Sequence, residues 1–286
     1  MTKDKNFNAS NKIEVKNTSL DLSTPKIMGI INMTDDSFYD GGTNYNSNKT
    51  LKKVTKFIKE GADIIDIGGY SSRPGAKNIS IKEEWKRIKD IIPIVNKNFP
   101  KTIISVDTFR SEIAKRAIEN GAHIINDISG GSIDKCLFDT VASLKTPYIL
   151  THIKGNPENM QENPNYNSVI NEITEYFQKK IKTLKSKGIN NIIIDPGFGF
   201  GKSLQHNYEI LNNLNKFKKF NLPILIGVSR KSMIYRLLKT NPKEALNGTT
   251  VVNTLCLLGG ANILRVHDVK EAKECIKIIK FAQNIN

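Results

Sequence analysis

Little in this 286-residue chain points to disulfide or transition-metal chemistry. Its three cysteines, Cys136, Cys256 and Cys275, lie far apart and form no C-x-x-C pair, so they read as the ordinary reduced thiols of a cytosolic protein. The four histidines, at 123, 152, 206 and 267, show no H-x-x-x-H or His/Cys spacing, which argues against structural or catalytic zinc. No stretch approaches the roughly 18 uninterrupted apolar residues of a membrane span. The N-terminal MTKDKNFNASNKIEVKN lacks the apolar core of a secretion signal, and the expectation is a soluble, cytoplasmic protein without a membrane partner. Triplets such as Asn32-Met33-Thr34 then carry no glycosylation meaning. Acidic residues are outnumbered, 28 against 43 Lys plus Arg, for a net charge of +15. The cations are mostly lysines spread over 51–59 and 178–187, without the Arg-rich stripe or interleaved aromatics of a nucleic-acid surface. No nucleic-acid partner is therefore expected; a lysine-coated surface that attracts small anions is.

What the chain does have is a repeat. Short runs rich in Ile, Val and Leu occupy 26–32, 63–68, 102–107, 123–128, 147–152, 191–195, 223–229 and 261–266, each too short for a helix. Between them lie amphipathic segments at 49–61, 81–97, 111–120, 134–144, 166–187, 204–219, 231–259 and 269–282. Asn241-Pro242 divides the seventh of these in two. Ser80, Ser111 and Ser203 are placed as N-caps, and Gly61, Gly121 and Gly188 as C-terminal stops. Strand and helix alternating eight times predict an α/β fold, either a closed barrel or an open doubly wound sheet; eight units with a polar residue at nearly every strand exit favour a (β/α)8 TIM barrel over 25–286. Residues 1–24 form a short N-terminal extension in which KIEV (12–15) and SLDL (19–22) can pair as a β-hairpin plugging the amino-terminal end of the barrel.

Nearly every strand ends in a polar or ionisable residue: Asn32, Asp66, Asp107, Asn126, His152, Asp195, Arg230-Lys231, and Arg265 with His267. In this architecture the reacting groups sit at the carboxyl ends of the strands. Pro196-Gly-Phe-Gly-Phe-Gly-Lys-Ser203 resembles a phosphate-binding loop, but a Walker A loop needs Gly where Pro196 stands, and a dinucleotide fingerprint needs Gly where Lys202 stands. Its glycines instead allow close approach to a planar ligand, with Phe200 offering a stacking or packing face. Asp107, Asn126, Asp195 and Lys231 together supply acceptors and donors suited to the amidine-like edge of a pterin or guanine. Taken singly, each could equally be a cap or a satisfied loop group. Alternation puts Arg265 and His267 on one face, where, with Asn32 across the barrel, they would suit a phosphate or diphosphate with its Mg2+; a structural arginine satisfying loop carbonyls is the other reading.

Met28-Gly-Ile-Ile-Asn-Met-Thr-Asp-Asp-Ser-Phe-Tyr-Asp-Gly-Gly42, Asp66-Ile-Gly-Gly-Tyr-Ser-Ser-Arg-Pro-Gly-Ala76, Ser105-Val-Asp-Thr108, Ile125-Asn-Asp-Ile-Ser-Gly130, Asp195-Pro-Gly-Phe-Gly-Phe-Gly-Lys202, Ser229-Arg-Lys-Ser232 and Arg265-Val-His-Asp268 occur in that order. Together they resemble the dihydropteroate synthases of the pterin-binding barrel superfamily. The resemblance implies a transferase of folate biosynthesis, the target of sulfonamides, condensing 6-hydroxymethyl-7,8-dihydropterin diphosphate with p-aminobenzoate to give 7,8-dihydropteroate and diphosphate. It further implies pterin binding by Asp107, Asn126, Asp195 and Lys231, with Mg2+ on Asn32. Diphosphate would be held by Asn32, Arg265 and His267, and p-aminobenzoate by Phe38, Ser72, Arg73, Pro74, Phe200 and Ser232. Lys231, Arg265, His267 and Asp36 are the implied catalytic groups, and the implied assembly is a homodimer.

The chain departs from the family pattern at Asp35, where Pro is usual, at Tyr70, where Glu is usual, and mildly at Ile153, where Met is usual. Two other readings follow. One is a methyltetrahydrofolate:corrinoid methyltransferase of the same superfamily, which would leave the Ser71–Gly75 loop and the Arg265/His267 pair without work. The other is a non-catalytic pterin-binding paralogue, which Tyr70 makes thinkable.

Overall fold

The structure is a computed structural model and describes residues 12–16, 18–33, 43–71, 78–155, 160 and 164–284. Two short strands, β1 (Lys12–Val15) and β2 (Thr18–Asp21), pair antiparallel. Eight parallel strands follow: β3 (Lys26–Asn32), β4 (Ile64–Gly68), β5 (Ile103–Asp107), β6 (Ile124–Asp127), β7 (Tyr148–Thr151), β8 (Ile192–Asp195), β9 (Leu225–Ile226) and β10 (Ile263–Val266). Their order runs β8-β7-β6-β5-β4-β3-β10-β9, and a bridge from Ile194 to Ile224 brings the two ends of the sheet together as a barrel. The helices between them are α1 (Thr43–Glu60), α2 (Ile81–Ile88), α3 (Ile91–Asn98), α4 (Ser111–Glu119), α5 (Leu137–Leu144), α6 (Val169–Ser186), α7 (Leu204–Asn212), α8 (Ser232–Tyr235), α9 (Leu246–Gly259) and α10 (Val269–Gln283), with a 3-10 turn at Leu214–Phe220.

The strands are apolar on both faces because both are covered. One face, carrying Ile27, Ile31, Ile65, Ile67, Val106 and Leu264, packs under the helices in one large core. The other face starts with one residue from each strand: Met28, Ile64, Ile103, Ile124, Ile149, Ile193, Leu225 and Ile263. These form a second apolar cluster together with Ile13, Val15, Leu20 and Leu22. The hairpin therefore closes the amino-terminal end of the barrel, and each such side chain is worth about 1.5–3 kcal/mol when fully buried.

Several local expectations are corrected. The segment expected as one helix over 81–97 is two, parted at Lys89-Asp90. Pro93 explains the break, since its ring would clash with the Lys89 carbonyl and it has no N–H to donate there, whereas in the first turn of a new helix that N–H is not needed. Ser111 is not an N-cap. It is the first residue of α4 behind Arg110, and its N–H donates to Asp134 Oδ2 at 2.7 Å. The seventh strand shrinks to Leu225–Ile226, because the chain turns away through Gly227 towards Arg230, which has φ 55°. Gly61, Gly121 and Gly188 do end their helices, at φ 99°, 103° and 82°. Ser80 and Ser203 do cap, Ser203 in a box completed by His206.

Candidate active site

Two residues beyond the apolar ring, the same faces of the strands turn polar, since side chains alternate along a strand. β4 presents Asp66, β6 Asn126, β8 Asp195 and β10 Arg265; one step further come Asn32, Asp107 and His267. Gly68 at the end of β4 and Gly227 just past β9 stand where a side chain would fill this space. A Cβ at Gly68 would lie 3.4 Å from that of Asp107, and one at Gly227 would lie 3.8 Å from the Arg265 stem and 3.9 Å from Lys231 Nζ.

Arg265 stands at the centre. Its Nε donates to Asp66 Oδ2 and its Nη2 to Asp107 Oδ2, both at 2.7 Å. Asn126 Nδ2 donates to the same Asp66 oxygen at 3.2 Å. Asp66 is fully buried, and its other oxygen has no protein partner among the described residues. Burial pushes the Asp107 carboxyl up to about 7, although Arg265 pulls it the other way; the neighbouring Asp66 adds to the rise. The guanidinium is thus balanced by two carboxyls, while three of its five N–H groups remain for a ligand. His267 is held by Ser229, whose Oγ lies 3.2 Å from both its Nδ1 and its backbone N. Burial, with Arg265 next, lowers the ring to about 4, so at neutral pH the free protein offers a neutral imidazole here.

The second half of the site hangs on the loop after β8. Asp195 Oδ1 accepts from the Gly197 N–H at 2.7 Å, and Lys231 Nζ donates to the Phe198 carbonyl at 2.6 Å. The same ammonium lies 4.5 Å from the centre of the Phe200 ring, within cation–π range. Gly197, Gly199 and Gly201 adopt φ of 71°, 79° and 66°. Burial lowers Lys231 to about 8, with Asp195 opposing, and burial raises Asp195, with Lys231 opposing. Lys202, the lysine of the apparent phosphate loop, turns inward instead. Its Nζ lies 2.9 Å from His152 Nδ1 and donates to the Phe200 carbonyl at 2.9 Å. Burial drives both the Lys202 ammonium and the His152 ring well below their ordinary values.

Arg230 locks the strand ends together. Its Nε and Nη2 make a two-pronged pair with Asp268 at 2.8 and 2.9 Å, while Nη1 donates to the carbonyls of Pro242 and Lys243. This fixes Lys231 and Ser232 relative to His267. Ser232 opens α8, a helix of one turn, so only the first-turn N–H groups, and no long helix dipole, are available there.

The structure therefore brings together Asn32, Asp107, Asn126, Asp195, Phe200, Lys231, Ser232, Arg265 and His267 at the carboxyl end of the barrel. Asp36, Phe38, Ser72, Arg73 and Pro74, with Asp35, lie outside the described residues. Sequence reasoning noted Asp66 as a strand end but gave it no role, and gave none to Ser229. The inward alternation marks both, but not which carboxylate an arginine on another strand will choose. Chemically, the mouth offers carboxylates and an amide for a flat donor–acceptor edge, flanked by cations and an aromatic face.

A family model described as "Pterin binding enzyme" matches residues 28–267. The chain is 44% identical over 271 residues to the dihydropteroate synthase of Escherichia coli (strain K12), covering 94% of this chain and 95% of that one. It is 40% identical to the dihydropteroate synthase of Haemophilus influenzae, over 96% of this chain and 99% of the relative. Among solved structures, a Yersinia pestis dihydropteroate synthase with a sulfonamide drug superposes with a TM-score of 0.90 at 38% identity, covering 95% and 99% of the two chains. A Xanthomonas albilineans dihydropteroate synthase in complex with 7,8-dihydropteroate superposes at 0.86 with 30% identity, covering 96% and 100%.

Proposed function

Because the chain belongs to the dihydropteroate synthases of the pterin-binding enzyme family, we propose that the mouth of its barrel divides the two substrates of that reaction between two sets of groups. The enzyme is a transferase of folate biosynthesis: it joins p-aminobenzoate to 6-hydroxymethyl-7,8-dihydropterin diphosphate, releasing diphosphate and giving 7,8-dihydropteroate.

Asp107, Asn126, Asp195 and Lys231 take the pterin. Asp195 keeps an oxygen that the Gly197 amide does not use, ready for two N–H groups of the amidine-like edge, and Lys231 keeps two N–H groups beyond the one given to Phe198. The juxtaposition of Asp195 and Lys231 with the Asp66–Arg265–Asp107 group is the observation that carries this reading. Arg265, Asn32 and His267 take the diphosphate, Arg265 through its three remaining N–H groups. Phe200 and Ser232, with Phe38, Ser72, Arg73 and Pro74 by family resemblance, receive p-aminobenzoate, and Asp36 joins the catalytic groups on the same ground. The residues orient the neutral aniline nitrogen towards the methylene carbon and exclude water; positioning is the protein's main contribution.

Mg2+ fits this site. Among the described residues no three carboxylates, histidines or cysteines converge on one point, but a hard, mostly hydrated ion needs few protein ligands. The half-buried Asn32 carboxamide at the end of β3 would be the side chain that holds it. When bound, the ion neutralises charge on the departing diphosphate.

The assembly is a homodimer. Val251, Leu255 and Leu258 recur at four- and three-residue spacing on α9 and are 53%, 45% and 58% exposed, an apolar stripe of the kind that marks an interface. The working place is the cytoplasm; among the described residues no helix is long and apolar enough to cross a membrane.

The site assignment is tested by Asp195→Asn. The exchange replaces an acceptor by a group that also donates, and pterin affinity measured by calorimetry should fall about a hundredfold or more with the melting temperature little changed. Near wild-type affinity would remove Asp195 from the pterin pocket.

A further inference from the structure

Two adjacent residues on the turn after β9 meet two adjacent residues at the end of β10, rung beside rung. Arg230 takes Asp268 in a two-pronged pair, and Ser229 takes His267. The Arg230 backbone N–H also donates to Thr249 Oγ1 at 3.1 Å, which anchors the turn to α9. With the outer rung latching the two segments, the inner rung is left to act on the imidazole itself.

Ser229 is buried, and its hydroxyl has one hydrogen to give and two lone pairs to receive. The His267 backbone N–H donates to Oγ at 3.2 Å and fills one lone pair, while Nδ1 of the same residue lies at 3.2 Å as well. Were Nδ1 protonated, it too would donate to Oγ. The hydroxyl hydrogen would then be left in the interior with no acceptor among the described residues, and an unmade bond of that kind is costly. With the hydroxyl donating to a bare Nδ1, all three groups are satisfied. A neutral imidazole bonded in this way carries its proton on Nε2, the ring nitrogen that has no hydrogen-bond partner among the described residues.

We propose that Ser229 is a positioning residue that fixes His267 as the tautomer protonated on Nε2, so that the ring meets the diphosphate as a hydrogen-bond donor. The proposal rests on the assignment of His267 to the diphosphate. Ionised diphosphate oxygens only accept: a bare Nε2 lone pair would repel them, whereas Nε2–H gives them a charge-assisted bond. Arg265, two residues earlier on the same face, supplies the cation. The ring then adds a donor without placing a second positive charge beside the guanidinium.

The experiment labels the four histidines with nitrogen-15 in the whole protein and reads the ring shifts of His267 at neutral pH, assigned by their loss in His267→Gln. Wild type should show an unprotonated Nδ1 and a protonated Nε2. A protonated Nδ1 would overturn the proposal, and this measurement carries the test should variants of Ser229 not fold. Ser229→Ala keeps the Arg230–Asp268 latch, so its melting temperature should fall only modestly while the ring populates both tautomers. In that variant KM for the pterin diphosphate and the inhibition constant of inorganic diphosphate should rise about three- to tenfold, while KM for p-aminobenzoate and affinity for bare hydroxymethylpterin move less than about twofold. Ser229→Thr, which keeps the hydroxyl, should restore most of the loss. Equal losses for the bare and the diphosphate-bearing pterin, or wild-type inhibition by diphosphate in Ser229→Ala, would overturn the proposal while leaving the function standing. A wild-type protein with Nε2 protonated that binds no diphosphate would overturn the assignment of His267 beneath it.

Discussion

Asp107 and Asp66 share one guanidinium across the barrel axis, and the consequence should be visible in the pH dependence of the enzyme. With Asp107 pushed up to about 7 and Lys231 down to about 8, both groups carry charge together only in a narrow interval. If, as proposed, an ionised Asp107 accepts a pterin N–H and a charged Lys231 donates to the ring, kcat/KM for the pterin diphosphate, which reports the free enzyme, should peak between those values and fall on both sides. Asp107→Asn should remove the acid limb and keep the alkaline one; an unchanged acid limb would place its titrating group elsewhere. The stability consequence has the opposite sense. The folded carboxyl holds its proton more tightly than the unfolded chain does, so its contribution is fully present below the ordinary value of 3.8 and is lost as pH rises through about 7. At this scale much was legible from sequence: their places at strand exits singled out Asp107, Asn126 and Asp195, and period-two alternation put Arg265 and His267 on one face. The partner of Arg265 was not, because Asp66 is 199 residues away in sequence and several inward carboxylates compete for one cation.

The loop after β8 shows how far local sequence rules reach at the scale of elements. Its glycines were expected to let the backbone approach a planar ligand, but Gly197 and Gly201 press instead on the carbonyls of His152 and Lys154. A Cβ at Gly197 would lie 1.9 Å from the His152 carbonyl oxygen, whereas one at Gly188, also at positive φ, meets nothing within 4 Å. Gly188→Ala should therefore cost only the left-handed backbone penalty, about 1–2 kcal/mol, and leave pterin affinity intact. Gly197→Ala adds a backbone clash beside the Asp195 anchor, and should lower the melting temperature further and abolish pterin binding. Equal melting temperatures and equal pterin affinities for the two variants would contradict this account of the loop. The same contrast explains the misplaced elements. Pro93 breaks its helix by a local clash that the sequence contains, while Ser111 lost the capping role to Asp134, a residue supplied by the next loop. Residues 35, 36, 38 and 72–74 lie outside the described residues, and their proposed roles rest on resemblance.

Taken whole, the molecule separates its stabilising end from its working end. The hairpin closes the amino-terminal mouth over an apolar ring of one residue per strand, and the polar groups gather at the opposite mouth. The eightfold recurrence of apolar runs made this architecture legible: an open doubly wound sheet also alternates strand and helix, but eight units with a polar residue at nearly every strand exit favour the closed barrel. The proposed homodimer rests on the exposed apolar stripe of α9. Leu255→Glu should convert the protein to monomers in sedimentation velocity at micromolar concentration without altering its melting cooperativity; an unchanged dimer would move the interface off α9.

The central claim is that this barrel mouth transfers a pterinylmethyl group to p-aminobenzoate, and it is tested most directly by following diphosphate release from 6-hydroxymethyl-7,8-dihydropterin diphosphate by the purified protein with Mg2+. The account predicts release in one-to-one proportion with p-aminobenzoate consumption, lost when Mg2+ is chelated and restored when it is returned. Turnover that ignores p-aminobenzoate, or transfer of a methyl group from methyltetrahydrofolate to a corrinoid protein in its place, would contradict it.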